Sequence, residues 1–275
     1  MYENDYQKKN RFSFGENWKR FLNSLTPERI DKAQESLIGF LGSRDSIKNK
    51  QFLDVGCGSG LFSLAAYRLG ANKVVSFDTD RYSVSCAKHL FSKEGSPINW
   101  QILQGSVLDQ KFINKLGKFD VVYSWGVLHH TGNMYQAIGN VTHLVKPGGY
   151  LYLAIYNRAT TAFYGGTSLF WLKIKKIYNS SNSFGKRIME YVYILYHVTG
   201  LILFGTNPIT YIREYKKNRG MDWKTDVVDW LGGYPYEFAS PDEIINWMGK
   251  RNFLCKNLVY RNGTGCNEYL FVDKN

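Results

Sequence analysis

The sequence predicts an α/β fold: a mostly parallel sheet of seven strands with helices on both faces. Three observations carry this. Short β-rich runs alternate with helical patterns five times over residues 51–156, the rhythm of parallel strands joined by crossover helices. A glycine-rich turn, Gly56-Cys57-Gly58-Ser59-Gly60, separates the first strand from its helix. Two further strands, at 258–261 and 268–272, follow a last helix and complete the sheet.

Residues 1–50 read as an amphipathic helical extension over the ligand site. Thr26-Pro27-Glu28-Arg29 is a helix start, with a capping hydroxyl, proline at the first position and acid in the first turn. Ile30, Ala33, Leu37, Ile38 and Leu41 then recur at helical spacing. The core follows at 51–157, with strands at 51–55, 73–77, 100–103, 119–124 and 150–156. Helices at 60–69, 83–91, 112–116 and 134–145 lie between them, the first ending at Gly70. Pro147-Gly148-Gly149 reads as the turn into the fifth strand. Residues 158–238 break the rhythm: 17 of these 81 residues are aromatic, which marks an inserted lid. It holds helices at 167–177 and 187–204, then a loop rich in glycine, aspartate and rings. Ser240-Pro241-Asp242-Glu243 starts the last helix, so 239–275 returns to the core.

The chain has 275 residues, 44 % apolar and 21 % charged, which excludes wholesale disorder. The net charge of +12 is spread as +3, +3, +5 and +1 over segments 1–50, 51–157, 158–238 and 239–275. A dedicated nucleic-acid module would concentrate it. Cys57, Cys86, Cys255 and Cys266 show neither C-x-x-C spacing nor a partnering histidine. They read as reduced thiols in a cytoplasmic protein, and no metal site is expected. The uncharged run 191–212 is broken by His197, Gly200, Asn207 and Pro208. Its dense apolar part is shorter than a span needs; Leu201–Phe204 and its neighbours read as a buried lid helix, with an interfacial or a transmembrane helix as the alternatives.

Spacing discriminates at the glycine turn. A dinucleotide fingerprint would place its third glycine at 61, which is Leu61; here the glycines are 56, 58 and 60. Asp54 precedes the loop, and Asp78 ends the second strand, where a carboxylate is placed to take two ribose hydroxyls. With Phe52-Leu53-Asp54-Val55-Gly56-Cys57-Gly58, Ser76-Phe77-Asp78-Thr79-Asp80, Gly105-Ser106-Val107 and the segment 119–132, the chain resembles the Rossmann-like class I S-adenosylmethionine-dependent methyltransferases. It looks most like the ubiquinone-biosynthesis-like small-molecule methylases. The resemblance implies S-adenosylmethionine as cofactor and S-adenosylhomocysteine as product. Asp54 and the backbone of Gly56, Cys57, Gly58 and Gly60 would hold the methionine end. Asp78, with Thr79 and Asp80 beside it, would hold the ribose. Ser106 and Val107 would flank the adenine, and Ser124 and Trp125 would pass the sulfonium.

Methyl transfer to a hydroxyl needs a proton acceptor. His129 and His130, just past strand four on the ligand edge, are the candidates. The remaining histidines, 89, 143 and 197, read as structural. Ser124-Trp125-Gly126-Val127 replaces the N-P-P-Y of amino methylases, and no cysteine follows strand four for carbon-5 cytosine chemistry. Candidate substrate contacts are Trp18 from the extension, Asn157 past strand five, and Asp226, Tyr234 and Glu237 from the insertion. The expected activity is methyl transfer to oxygen or nitrogen of a small molecule, lipophilic or sugar-like. RNA methylation and non-catalytic cofactor binding are the alternatives.

Overall fold

The computed structural model describes residues 25–161, 166–219 and 223–275. Trp18, with Phe14 and Gly15, lies outside them, as do residues 220–222 of the insertion.

The seven strands are β1 (Gln51–Val55), β2 (Lys73–Asp78), β3 (Trp100–Gln104), β4 (Phe119–Trp125), β5 (Val145–Tyr156), β6 (Phe253–Val259) and β7 (Cys266–Asp273). Their order is β3-β2-β1-β4-β5-β7-β6. All pairings among β1 to β5 are parallel, and β7 runs antiparallel to both neighbours. The strand order reverses between β1 and β4, so the loops after these strands flank the crevice where ligands bind in open sheets.

Alternation along the strands divides the core. Leu53, Val75, Val122 and Leu151 face one layer, which holds Ala137, Ile138 and Val141 of helix α5 (Met134–Thr142) and Ile244 and Met248 of α10 (Pro241–Gly249). Phe52, Val74, Val121 and Tyr152 face the other layer. There they meet α1 (Pro27–Leu41), α2 (Leu61–Arg68) and Leu90 of α3 (Arg81–Lys93). A short α4 (Gln110–Ile113) follows β3. α1 is held by Ile30, Ala33, Leu37, Phe40 and Leu41 and ends at left-handed Gly42. None of residues 25–50 lines the large cavity described below; this part of the extension braces the back of the sheet.

The insertion differs from its sequence reading. α6 (Ser168–Ser180) and α7 (Ser183–Leu203) form close to the expected bounds. The expected loop is two helices, α8 (Pro208–Arg219) and α9 (Trp223–Gly232). Tyr215 of α8 hydrogen-bonds Asp226 of α9. Trp171, Tyr178, Val227, Leu231 and Tyr236 form a small core of their own. β5 also starts earlier than expected: Pro147-Gly148-Gly149 lies inside the strand, because Val145 already pairs with Phe119 across an irregular register.

Candidate active site

The glycine turn is built from β1 upward. Gly56 and Cys57 donate their N–H groups to the Phe77 carbonyl, at 2.8 and 3.0 Å, which folds the turn onto the end of β2. Gly56 has φ +73°, and a Cβ there would overlap the Val127 side chain. Gly60 has φ +81°, and its Cβ would meet Ala87 of α3 at 2.9 Å. Glycine is therefore required at both places by conformation and by close approach.

Asp78 holds the loop from the other side. Its Oδ2 accepts from Gly58 N–H at 3.0 Å and its Oδ1 from Asp80 N–H at 2.9 Å. Burial pushes its carboxyl up, and the backbone donors oppose that. Asp80 caps α3 through the N–H groups of Tyr82 and Ser83.

Asp54 lies beneath the loop, 2 % exposed. Its Oδ2 accepts from Ser63 Oγ at 2.5 Å. Ser63 Oγ accepts from Ser76 Oγ at 2.7 Å, and Ser76 Oγ from Trp100 Nε1 at 2.8 Å. Burial raises the Asp54 carboxyl to about 7; the Ser63 bond opposes this and the Asp78 charge adds to it.

A cavity of about 1020 Å³ opens over this loop. At one end it is lined by Gly56, Gly58, Asp78, Thr79, Ser106 and Val107. At the other it is lined by Tyr193 and His197 of α7, Tyr211 of α8, and Asp226 and Trp230 of α9. Trp125, His130 and Tyr234 line it as well. Asp54, Cys57, Gly60 and Ser124 do not: Cys57 and Ser124 are buried, and Ser124 Oγ donates to the Val55 carbonyl at 3.2 Å. These four shape the loop from behind.

Among the described residues, the walls carry five carboxylates (Asp78, Asp80, Asp226, Asp229 and Glu268) against one guanidinium, Arg261. On a chain of net charge +12, this concavity focuses negative potential and favours a cationic occupant. The fit to S-adenosylmethionine is therefore good: a sulfonium and an ammonium would meet acid walls, and half-buried Asp78 would meet a diol at the glycine end.

The two adjacent histidines have different fates. His129 is fully buried, its ring 4.0 Å from that of Tyr156, and its Nδ1 accepts from the Tyr156 N–H at 3.3 Å. Burial holds it well below the ordinary histidine range, with the neighbouring His130 and Lys175 charges acting the same way. Its expected role as a base is corrected to a neutral core group. His130 lines the cavity, with Nδ1 2.6 Å from the Pro235 carbonyl. A carbonyl only accepts, so Nδ1 carries the proton and Nε2 is the basic nitrogen of the neutral ring.

Two expected substrate contacts are also corrected. Asn157 is 3 % exposed and fastens the β6–β7 turn, donating to the Arg261 and Gly263 carbonyls and accepting from Asn267 Nδ2. Glu237 accepts the Met134 N–H and so caps α5. His197, expected to be structural, lines the cavity, and burial lowers its basicity. Arg261 and Glu268, 3.8 Å apart, were not visible in the sequence as site residues. Antiparallel pairing of β6 and β7 brings them to the cavity, and no local motif marks them. The Tyr193–His197 and Tyr211–Tyr215 pairs did carry a signal, since a spacing of four puts both members on one helix face.

The strand order, the 56/58/60 glycine turn and the aspartate ending β2 are those of the class I S-adenosylmethionine-dependent methyltransferase fold. Residues 53–153 match the methyltransferase domain family. The ubiquinone biosynthesis O-methyltransferase of Pelagibacter ubique is 29 % identical over 145 residues, 52 % of this chain and 58 % of its own. That of Xanthomonas campestris is 32 % identical over 143 residues, 52 % and 54 % of the two chains. The chain thus spans a little over half the length of these relatives. Among solved structures, magnesium protoporphyrin IX methyltransferase of Synechocystis, with bound S-adenosylhomocysteine, superposes with a TM-score of 0.56. It covers 97 % of each chain at 14 % identity.

Proposed function

We propose that this chain transfers the methyl group of S-adenosylmethionine to an oxygen of a small aromatic or lipophilic acceptor, with nitrogen as the alternative atom. One observation carries the reading. A single cavity runs from the glycine turn to the aromatic inner faces of α7, α8 and α9, and His130 lines it. The bound cosubstrate supplies an electrophilic methyl group on a sulfonium. The chain's own tasks are to hold it, to align the acceptor and to take a proton.

Asp78 and the glycine turn bind, with Ser106 and Val107 beside them. Trp125 and Tyr234 form apolar wall, and Asp226 is fixed by the Tyr215 hydroxyl. His130, its Nδ1 proton committed to Pro235, accepts the acceptor hydroxyl proton at Nε2. The oxygen acceptor is supported by the likeness to ubiquinone biosynthesis O-methyltransferases. RNA fits poorly, because the cavity walls are acidic and phosphates would be repelled.

The test is transfer from labelled cosubstrate into a cell extract split into small-molecule, lipid, RNA and protein fractions. Label in the small-molecule or lipid fraction is expected, and RNA label would overturn the proposal. Intact cosubstrate binding with no label in any fraction would leave a non-catalytic binder.

A further inference from the structure

Helix α7 is apolar on both sides. Its inner residues Met189, Tyr193 and Ile194 pack on the insertion core, and Tyr193 and His197 line the cavity. Yet none of its 21 residues is buried. Phe184, Tyr191, Leu195, Ile202, Leu203 and Phe204 are 60–78 % exposed. Residues 184, 191, 195 and 202 fall on one helical stripe. An outward helix face in water is ordinarily polar, and a patch this long marks an interaction site. This also corrects the reading of 187–204 as a buried helix.

The patch continues onto its neighbours. Leu169, Phe170 and Ile177 of α6 are exposed, as is Ile209 at the start of α8. No charged residue occurs from Tyr191 to Ile212. Basic residues flank this run: Lys186 and Arg187 before it, Arg213 after it, with exposed Lys173 and Lys176 on α6. Over residues 166–215 there are six basic side chains and two acidic. Of these, Lys175 is buried and Glu190 accepts from the Tyr178 hydroxyl. Among the described residues no single helix is long and apolar enough to cross a membrane, and α7 and α8 bend by 116°.

We propose that the outer face of α7, with the adjoining residues of α6 and α8, docks on an anionic lipid bilayer. Exposed leucine, isoleucine and aromatic side chains enter the headgroup boundary, and the flanking lysines and arginines meet lipid phosphates. The 116° bend lays the two helices along a surface rather than across it. Charge decides against a second copy of this chain as the occupant: two such faces would bring like basic rims together. Docking stands independently of the methyl-transfer reading. If that reading holds as well, the same helix borders both bilayer and cavity, and the acceptor class is membrane-borne.

The test is flotation of the full chain with vesicles of phosphatidylcholine containing about one third phosphatidylglycerol, against phosphatidylcholine alone. Strong binding to the anionic vesicles is expected, falling with salt. Leu195→Glu with Leu203→Glu, both outward, is expected to reduce it by tenfold or more, and Lys186→Glu with Arg187→Glu by severalfold. Cosubstrate affinity, measured in the same preparations, should stay unchanged and shows that the variants fold. Failure to bind either vesicle would overturn the proposal. So would a dimer in solution that the leucine variants turn into monomer, because the face would then be a contact between copies.

Discussion

Lys175 is the group whose removal should change stability most informatively. It is fully buried on α6, its Nζ 4.2 Å from the Trp230 ring centre and 4.9 Å from that of Tyr236, and it donates to the Trp230 carbonyl. Burial lowers it from 10.5 to about 7, with Asp229 acting in the opposite direction. The unfolded chain keeps this proton up to the ordinary value and the folded chain releases it near neutrality. Stability therefore rises with pH across that window, and the full penalty lies below it. At about 1.4 kcal/mol per pH unit, the protein gains about 4 kcal/mol between neutrality and the upper end. Lys175→Met keeps most of the volume and removes the charge, and it strands one carbonyl at about 1–3 kcal/mol. Near pH 7 the variant should be more stable by about 1–3 kcal/mol, raising the melting midpoint by several degrees. Denaturant unfolding of both proteins at about pH 6.5 and 9.5 reads the effect: the advantage should shrink as pH rises. A difference that is constant with pH would refute the argument.

Other outcomes follow from the same geometry. Asp78→Ala removes the carboxylate that ties Gly58 and Asp80 and faces the cavity; calorimetry should show cosubstrate binding weakened by about 30-fold or more. Gly56→Ala meets both positive φ and Val127, so it should lose about 2–4 kcal/mol of stability and most cosubstrate binding. His130→Gln should reduce kcat by about 10²–10⁴-fold and leave cosubstrate affinity unchanged. A merely structural role would move the two together. His129 has a lowered basicity, so its contribution is lost as pH falls below the ordinary histidine value; His129→Phe should flatten that acid-side slope in pH-dependent melting.

The sheet was legible because each parallel strand is a short apolar run bounded by a turn, and burial on both faces leaves little else such a run can be. The glycine turn was legible because its backbone demands the residue type. The α8–α9 region was not. The glycine and aspartate content around 220–233 favours loops locally, and a Tyr215–Asp226 bond with packed rings overrides it. Among site residues, sequence placed segments on the ligand edge but could not orient them. His129 and His130 are adjacent, yet one turns into the core and the other lines the cavity. Asn157 lies on the expected edge, but long-range carbonyls saturate it. Arg261 and Glu268 come to the cavity only through strand pairing that no local pattern encodes.

The hydrogen-bond chain under the glycine turn gives the molecule an internal reporter. Trp100 stands on β3, at one edge of the sheet, and its indole N–H begins the series that ends on the Asp54 carboxylate. Any change in the charge state of that carboxylate, such as the arrival of a cation above it, alters how strongly Ser63 and Ser76 are polarised. The effect reaches a fluorophore two strands away. Emission that Trp100→Phe abolishes would then follow ligand arrival optically, without a label and without turnover.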